Sequence, residues 1–466
     1  MVTYFPKTIS SKGLTFYVVS LAVVSIAFFS HAMPFMWMLL GFLEVTIFFT
    51  LSSRFSKEWQ TRSVNDYVRT LFWTAVLLRF VWVVFSYFFY QAQTGQPFEF
   101  DAKDSWYYHA DSEWLAGEDW SVMWNYLYKS QIGYSDSGYK TYLTVVYKIF
   151  GPSVFIARVL KCFVSAFTCI LLYRLTSRCV NEQVGRMAGV FAMLMPNLII
   201  YCGLHLKETE MVFLVVAFLE RSDFVLRSQR FRIWNILLPI VLAGAMFTFR
   251  TVLGAVALFS FITAIVFSPS RMMKKGRRIV VAIWVLLAIV FLAGGTIMNE
   301  IEQTWNDRGT NQEVKRTQQT IRGNQWAQYA TGTVMAPMIF VMPFSTMVDT
   351  GQENQMIMHG GNYVRNFMGV FVLITLFVVL FKKKNWREFS LIGAFAAGYL
   401  GVIATSGFAN SERFLLPALP CLIIMWAYGI SELTPKSFKF VKYWYVIVPV
   451  MEIGWAYFKI GSRGLF

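Results

Sequence analysis

The sequence predicts an all-α, polytopic transmembrane protein, and three observations lead to this fold class. Of the 466 residues, 56% are hydrophobic and only 15% are charged, whereas soluble domains carry about 25% charged residues. The mean hydropathy is +0.49. Several apolar runs are about 20 residues long, which is the length that one helix needs to cross a bilayer. This composition excludes a disordered chain, a coiled coil, a collagen-like chain and a disulfide scaffold.

About thirteen membrane spans are expected from these runs. They lie at about 14–31, 34–52, 69–92, 153–173, 187–204, 209–226, 233–249, 251–268, 279–298, 366–381, 389–406, 413–431 and 443–460. The run 333–348 contains Pro337 and Pro343 and is too short to span, so it is predicted to be re-entrant or interfacial.

The spans and loops divide the chain into four parts. Residues 1–68 are expected to form two N-terminal helices and a cytoplasmic loop, and residues 69–298 a transmembrane module. That module includes a large acidic outer loop at 93–152, predicted to contain amphipathic helices. Residues 299–365 are predicted to be a second outer loop with the re-entrant segment, and residues 366–466 the C-terminal helices.

The net charge of +16 would suggest a nucleic-acid partner in a soluble protein. Here most of the lysines and arginines lie in short loops on one side of the predicted spans, which indicates the positive-inside rule and no nucleic acid. The N-terminus is therefore assigned to the cytoplasm, and Lys7 and Lys12 precede an uncleaved first span. The absence of any N-x-[ST] sequon favours a bacterial inner membrane, with the large loops in the periplasm.

Four of the five cysteines lie in or beside apolar runs, and no pair has zinc-like spacing, so the cysteines are expected to be small buried hydrophobic residues. The sequence contains no P-loop, no H-E-x-x-H motif and no Gly-rich dinucleotide fingerprint. The energy for any reaction is therefore expected to come from a bound substrate or a gradient.

The acidic outer loop supplies the first candidate site. Asp101 and Asp104 are three residues apart in a stretch that can be helical, so both can face one side. Nearby aromatic residues, among them Tyr107 and Tyr108, are typical of a membrane interface. A carboxylate in such a place can deprotonate an acceptor hydroxyl or bind a divalent cation such as Mg²⁺ or Mn²⁺. The alternative is a solvated acidic loop with aromatic anchors.

The outer hairpin at 203–210 supplies the second candidate site. His205, Lys207, Glu208 and Glu210 crowd one turn at the membrane surface. Charges at the bilayer edge are costly unless they are used or reach the interface. Lys207 is therefore a candidate contact for the phosphate of an outer-leaflet lipid, with ordinary snorkelling as the alternative.

Two further segments precede predicted spans. In 410–420, Arg413 offers a planar fork for phosphate or carboxylate, whereas the alternative is a capped span with a structural Glu412–Arg413 pair. In 343–366, His359 and Arg365 flank two glycines that permit close backbone approach. This segment is a candidate cover for a lipid or sugar site, and a purely structural His359 is the alternative.

Charged residues inside predicted spans are functional hypotheses by default. They are Glu44, Arg79, Lys161 and Glu452. Glu44 and Arg79 can form a buried pair, which would be architectural.

The order of these features resembles the GT-C class of integral membrane glycosyltransferases. The resemblance rests on Asp104-Ser105-Trp106-Tyr107-Tyr108 after a span, and on an amphipathic stretch at 140–160. It also rests on a proline-containing span, with Pro196, that ends in the outer turn. A further matching motif is Glu-Arg-Phe-Leu-Leu-Pro at 412–417, near the C-terminus. The resemblance covers about residues 69–430. Ser105 stands where the family often has a second acidic residue, and two extra spans precede the acidic loop.

The resemblance implies an enzyme similar to the dolichyl-phosphate-mannose and undecaprenyl-phosphate-sugar transferases. Its donor would be a polyprenyl-phosphate-linked sugar, and its acceptor a lipid, glycan or protein of the cell envelope. Asp104 would be the general base and Asp101 its partner or a metal ligand, although the assignment between the two stays open. Lys207, Arg413 and Arg365 would bind the donor phosphate.

Two alternatives belong to other classes. A polysaccharide polymerase or ligase would use lipid-diphosphate-linked glycans and would be expected to carry basic residues in its outer loops. The acidic outer loop argues against this alternative. A lipid or sugar transporter would favour inverted repeats and broken spans in matching halves, and no such symmetry is visible in the sequence.

Overall fold

The structure is a computed structural model, and it describes residues 2–129, 135–228, 233–267, 338–404 and 411–462. These residues form helices joined by turns and irregular segments. Within them the β-structure amounts to one isolated bridge, between Ala32 and Val348.

The described helices are numbered here in chain order. They are α1 Lys7–Ala27, α2 Phe35–Glu58, α3 Val64–Thr94, α4 Lys103–Gly117, α5 Trp120–Trp124, α6 Ser137–Phe150, α7 Val154–Cys179, α8 Glu182–Leu194, α9 Pro196–Ile200, α10 Glu208–Arg227, α11 Ile233–Phe249, α12 Thr251–Phe267, α13 Glu353–Ile357, α14 His359–Phe377, α15 Ser390–Ala404, α16 Glu412–Leu415, α17 Leu419–Ser431 and α18 Pro435–Ser462.

Six stretches of described helix are long and apolar enough to cross a membrane. They are Lys7–Ala27, Phe35–Thr61, Val64–Thr94, Val154–Cys179, His359–Lys382 and Glu412–Ser431. A seventh follows if α8 and the bent segment Pro196–Gly203 form one span. Three shorter apolar helices lie at Leu237–Phe249, Thr251–Phe267 and Ser390–Ala404. The chain is therefore an all-α, multi-pass membrane protein.

The described helices agree with the predicted positions of the spans better than with their predicted number. A described helix lies at every predicted span except 279–298, which falls outside the described residues. However, α10 and α18 are long enough but too polar to meet the criterion for a span, and three other helices are short, so the count of thirteen is not confirmed. The described part of the predicted re-entrant run, 338–348, is irregular and largely buried, and its relation to the bilayer stays a prediction.

A proline breaks the helix that follows α7. The segments α8 and Pro196–Gly203 meet at an angle of 54°, because proline lacks the N–H that would bond the carbonyl four residues earlier. Arg79 of α3 compensates by donating to the carbonyl oxygens of Ala192 and Met193, each at 3.1 Å. Buried carbonyls need such partners, so the intramembrane Arg79 holds the broken helix together.

The predicted pair of Glu44 and Arg79 is therefore wrong. Arg79 also donates to Ser165 Oγ at 2.6 Å, whereas Glu44 accepts from the backbone N–H of Gly361 at 3.0 Å. Arg79 joins α3 to α7 and α8, whereas Glu44 joins α2 to the first turn of α14.

The acidic outer loop folds into α4, α5 and α6. Lys140 of α6 is buried, and its Nζ lies 2.6 Å from Asp111 Oδ2 of α4. The same ammonium lies 3.8 Å from the ring centroid of Tyr107, a favourable cation–π distance. These contacts fix α4 on α6, and α6 leads through Gly151 into α7. The start of α4 is thereby held next to the ends of the spans.

Candidate active site

Four segments that are distant in sequence enclose a cavity of about 420 Å³. The lining residues come from the acidic loop, the turn before α10, the segment around α13 and the start of α16. They are Glu99, Phe100, Asp101, Lys103, Asp104, Tyr201, Leu204, Leu206, Gln352, Asn354, Gln355, Met358, Ser411, Glu412 and Arg413. The wall is thus part charged and part apolar, as expected of a site for an amphipathic ligand.

Asp101 and Asp104 both line this cavity, at the beginning of α4. Asp104 lies in the first helical turn, where a carboxylate interacts favourably with the free backbone N–H groups. Asp101 lies outside the helix, in a turn with a φ of 52°, a conformation that aspartate tolerates better than most residues. The expected shared helix face is therefore replaced by a turn and a helix start that present both carboxylates to one space.

Arg413 is the centre of the charged wall. Its Nη1 donates to Asp104 Oδ2, and its Nε donates to Glu208 Oε1 at 2.5 Å. The side chain of Glu208 is fully buried, whereas 22% of the Arg413 side chain is exposed. Arg250 Nη2 lies 3.8 Å from the same oxygen of Glu208. Two arginines therefore neutralise the buried carboxylate, and Arg413 carries that positive charge to the cavity surface.

Lys207 does not line the cavity. Its Nζ donates to the carbonyl oxygen of Phe249 at 2.7 Å and also contacts Asp136. Burial, with the nearby Arg250, lowers the pKa of Lys207 well below its ordinary value. The predicted role of Lys207 in phosphate binding stays a prediction, and the contacts seen here join the outer hairpin to α6 and α11.

His205 and Glu210 lie behind the cavity, in a buried polar layer. His205 Nε2 lies 3.1 Å from the hydroxyl of Tyr147, which also lies 2.8 Å from His109 Nδ1. Burial lowers the pKa of His205, and the positive charges of Arg158 and Lys161 act in the same direction. Glu210 is buried, with one oxygen 3.7 Å from Lys161 Nζ. These contacts connect α4, α6 and α7 beneath the site.

The segment predicted as a cover contributes to the cavity through its first half. Met358 lines the cavity, whereas His359 is buried, with Nε2 2.8 Å from the Tyr17 hydroxyl. Arg365 is also buried and donates to the carbonyl oxygen of Pro343 at 2.9 Å and to Asn362 Oδ1 at 3.3 Å. Neither His359 nor Arg365 lines the cavity, so their proposed roles rest on the sequence alone.

The two tyrosines of the acidic motif point in different directions. Tyr107 is exposed beneath the Lys140 ammonium. Tyr108 is buried edge-on against the ring of Tyr139, with centroids 5.1 Å apart. Both therefore pack α4 onto α6, and neither lines the described cavity.

Several residues of the site were not among the sequence candidates. Asn354 Nδ2 donates to the carbonyl oxygen of Phe100 at 2.5 Å, which joins the segment around α13 to the acidic loop. Glu99 accepts from Ser105 Oγ and has its other oxygen 3.8 Å from Arg158. Arg250 could have been found as a lone charge between two apolar runs, but nothing in the sequence predicts its proximity to Glu208.

The predicted divalent-metal site gains little support from these side chains. Among the described residues, no three His, Cys, Asp or Glu side chains converge as a metal centre would require. The carboxylate of Asp104 is instead engaged by the guanidinium of Arg413. The donor set does not fit a resident divalent cation, and no catalytic step is assigned to one.

No family model and no curated protein matches the sequence. The structure is similar to two crystal structures of the Archaeoglobus fulgidus oligosaccharyltransferase. In its complex with Zn and sulfate, the TM-score is 0.46 at 11% identity, over 84% of this chain and 53% of that chain. In the form tethered to an acceptor peptide containing the NVT sequon, the TM-score is 0.41 at 11% identity, over 78% and 51%. This chain spans about half the length of either structure, and a likeness at these values carries no inference about function.

Proposed function

We propose that the protein is a membrane glycosyltransferase of GT-C type. It would move a sugar from a polyprenyl-phosphate-linked donor to a lipid, glycan or protein acceptor on the periplasmic face of a bacterial inner membrane. The observation that carries this proposal is the position of Arg413 between Asp104 and the buried Glu208, at the wall of a cavity that also contains Asp101. A cation for the leaving phosphate and two carboxylates for the acceptor proton thus share one space.

The apolar part of the cavity suits the lipid portion of the donor. Phe100, Leu204, Leu206 and Met358 line it beside the charged groups. A prenyl chain gains free energy from leaving water for such surfaces, at about 25 cal/mol per Å² of apolar area. The donor would therefore lie with its chain toward these residues and its phosphate toward Arg413.

Transfer requires that charge on the leaving phosphate be stabilised while the acceptor loses a proton. The acceptor oxygen attacks the anomeric carbon, the bond from that carbon to the phosphate oxygen breaks, and the hydroxyl proton passes to a carboxylate. Arg413 is suited to hold the developing phosphate charge, because a guanidinium binds phosphate through two parallel hydrogen bonds.

Donor binding would also activate Asp104. Asp104 Oδ2 accepts a hydrogen bond from Nη1 of Arg413, so the guanidinium occupies the oxygen that would contact the acceptor hydroxyl. A phosphate that competes for Nη1 of Arg413 would release Asp104, while Glu208 keeps Nε in place. Asp104 would then be the general base, and Asp101 would orient the acceptor. If Arg413 holds Asp104 throughout, the base would be Asp101 instead.

A sugar-transfer assay with the purified protein in lipid vesicles tests the proposal. The donors are polyprenyl phosphates that carry a labelled single sugar, offered to extracts that contain envelope acceptors. Asp104→Asn is expected to lower turnover by about 100-fold or more, in the range lost with a general base, and Asp101→Asn is the parallel variant. Asp119→Asn, an exposed change in the same loop, is the control.

The outcomes separate the possible functions. Full activity in both Asp104→Asn and Asp101→Asn would reject the proposed carboxylate chemistry. Transfer only from oligosaccharide diphosphate lipids would identify a polymerase or ligase, and lipid or sugar movement across protein-only vesicles without transfer would identify a transporter.

A further inference from the structure

A second large groove lies at the other end of the molecule. It has a volume of about 530 Å³ and is formed between the first turns of α3 and the last turns of α7. Its lining residues are Val64, Asn65, Val68, Arg69, Phe72, Phe167, Ile170, Tyr173, Arg174, Ser177 and Arg178. Phe72 lies 22 residues before the end of α3, and none of the residues that line the groove also lines the cavity of the candidate active site.

The polar end of this groove is cationic. Arg69, Arg174 and Arg178 line it, and no acidic residue does. Arg178 is held by Glu220 at 2.7 Å and by Asp223 at 3.1 Å. Arg69 and Arg174 are exposed, and no described residue forms a hydrogen bond or an ion pair with either of them. Two arginines that face one groove without a counter-charge create a strong local attraction for an anion.

The other end of the groove is apolar. Phe72 and Phe167 meet there with ring centroids 4.9 Å apart, and Ile170 lies beside them. Along the helices, Phe72 is about 10 Å from Asn65, and Phe167 is about 16 Å from Arg178, at 1.5 Å per residue. The headgroup layer of a bilayer is about 5–7 Å thick. The groove is therefore long enough to pass from the depth of the headgroups to that of the acyl chains.

The groove opens at the end of the molecule to which the positive-inside rule assigns the cytoplasm. The ends of α2 and α8 that carry Arg54, Lys57 and Arg186 lie at the same end as the start of α3. The cytoplasmic leaflet is the one rich in anionic lipids, and basic pockets between membrane helices on this side bind their headgroups.

We propose that this groove is a binding site for one anionic phospholipid of the cytoplasmic leaflet. Arg69 and Arg174 bind the phosphate of its headgroup, and Asn65 and Ser177 offer polar contacts beside them. Phe72, Phe167 and Ile170 pack against its acyl chains. The site is separate from the proposed donor site and does not depend on the proposed enzymatic activity.

Native mass spectrometry of the full chain in non-ionic detergent tests this site. The protein is titrated with phosphatidylglycerol, with phosphatidylcholine of the same acyl chains, and with inorganic phosphate. We expect the first phosphatidylglycerol to bind more tightly than phosphatidylcholine. Arg69→Gln combined with Arg174→Gln is expected to weaken phosphatidylglycerol binding by about 30-fold, because each arginine near anionic lipid contributes a factor of about five.

Two controls complete the experiment. Arg54→Gln removes an exposed arginine that pairs with Glu58 and does not line the groove, so it is expected to leave binding unchanged. Arg69→Lys with Arg174→Lys keeps both charges and is expected to retain most of the binding. Equal phosphatidylglycerol affinity in the wild type and the glutamine variant would overturn the proposal. Displacement of the lipid by millimolar inorganic phosphate would also overturn it, because it would identify a site for a soluble anion.

Discussion

Arg413 and Asp104 are 309 positions apart in the sequence, and a hydrogen bond from Nη1 of the arginine to Oδ2 of the aspartate joins them. This contact connects the start of the outer helix α4 to the C-terminal helix pair. Because Glu208 holds the same guanidinium from α10, one arginine fixes the relative position of three segments. A ligand that binds Arg413 therefore acts on the acidic loop directly.

The first prediction concerns the stability of this arrangement. Arg413→Gln leaves the fully buried Glu208 with Arg250 as its remaining charged neighbour, at 3.8 Å. Breaking a buried pair on one side costs about 3–5 kcal/mol, so we expect a large decrease in the free energy of unfolding in detergent. Glu208→Gln in the same chain removes the buried charge and should restore most of the stability.

The double variant separates structure from function. Arg413→Gln with Glu208→Gln should fold like the wild type but remain poor in sugar transfer, because the phosphate contact is still missing. A double variant whose loss of stability equals the sum of the losses in Arg413→Gln and in Glu208→Gln would show that the two side chains are not energetically coupled.

The second prediction concerns Lys207. Its ammonium contacts Asp136 and the carbonyl oxygen of Phe249 in a buried setting. We expect Lys207→Gln to lower the unfolding temperature and to change the KM for the lipid donor by less than about twofold, the signature of lost structure rather than lost substrate binding. A stable variant with a strongly raised KM would instead make Lys207 a phosphate contact. Lys103→Gln, which changes an exposed lysine of the cavity wall, is the comparison variant.

The positions of the helices could be predicted because each span needs an apolar run of fixed length. The bend at Pro196 also follows from the chemistry of proline. The partners of charged residues could not be predicted in this way, because they depend on which helices become neighbours. The sequence allows a pair of Arg79 and Glu44, whereas in the structure Arg79 bonds the carbonyl groups released by the break after α8.

At the candidate site, too, charged residues can be recognised in the sequence, but their partners cannot. Asp101 and Asp104 are candidates as carboxylates at a membrane interface, and Arg413 as a planar fork for phosphate; the structure brings these three to one cavity. Lys207 is a candidate phosphate contact at the outer turn, but its counter-charge comes from Asp136, in a different part of the outer loop. Sequence spacing carries no information on such a contact, so Lys207 and Arg413 could not be distinguished before the fold was known.

The third prediction concerns pH. Burial lowers the pKa of His109 below its ordinary value, against a smaller opposing effect of Glu113, and burial also lowers that of His205. The unfolded chain therefore binds more protons than the folded chain at acidic pH. The contribution of the two neutral histidines to the free energy of unfolding is fully present above about pH 6.5 and decreases as the pH falls below that value. Each histidine contributes up to about 1.4 kcal/mol per pH unit.

Chemical unfolding between pH 5 and 8 measures this effect. We expect His109→Gln and His205→Gln each to flatten the decrease in unfolding free energy below pH 6.5, and the double variant to flatten it further. Unchanged slopes in both variants would show that the layer around Tyr147 accepts a proton without cost.

The fourth prediction concerns the packing of α17 against α14. A Cβ at Gly429 would lie 2.3 Å from the carbonyl oxygen of Phe371 and 3.0 Å from Thr375 Oγ1. Since a backbone carbonyl cannot move aside without moving its helix, Gly429→Ala should destabilise the protein by about 1–3 kcal/mol. Gly393→Ala is the matched control, because nothing lies within 4 Å of its Cβ, and alanine favours the helix by up to about 1 kcal/mol. Thermal unfolding of both variants in detergent tests the contact, and equal or higher stability of Gly429→Ala would mean that the two helices lie farther apart than described.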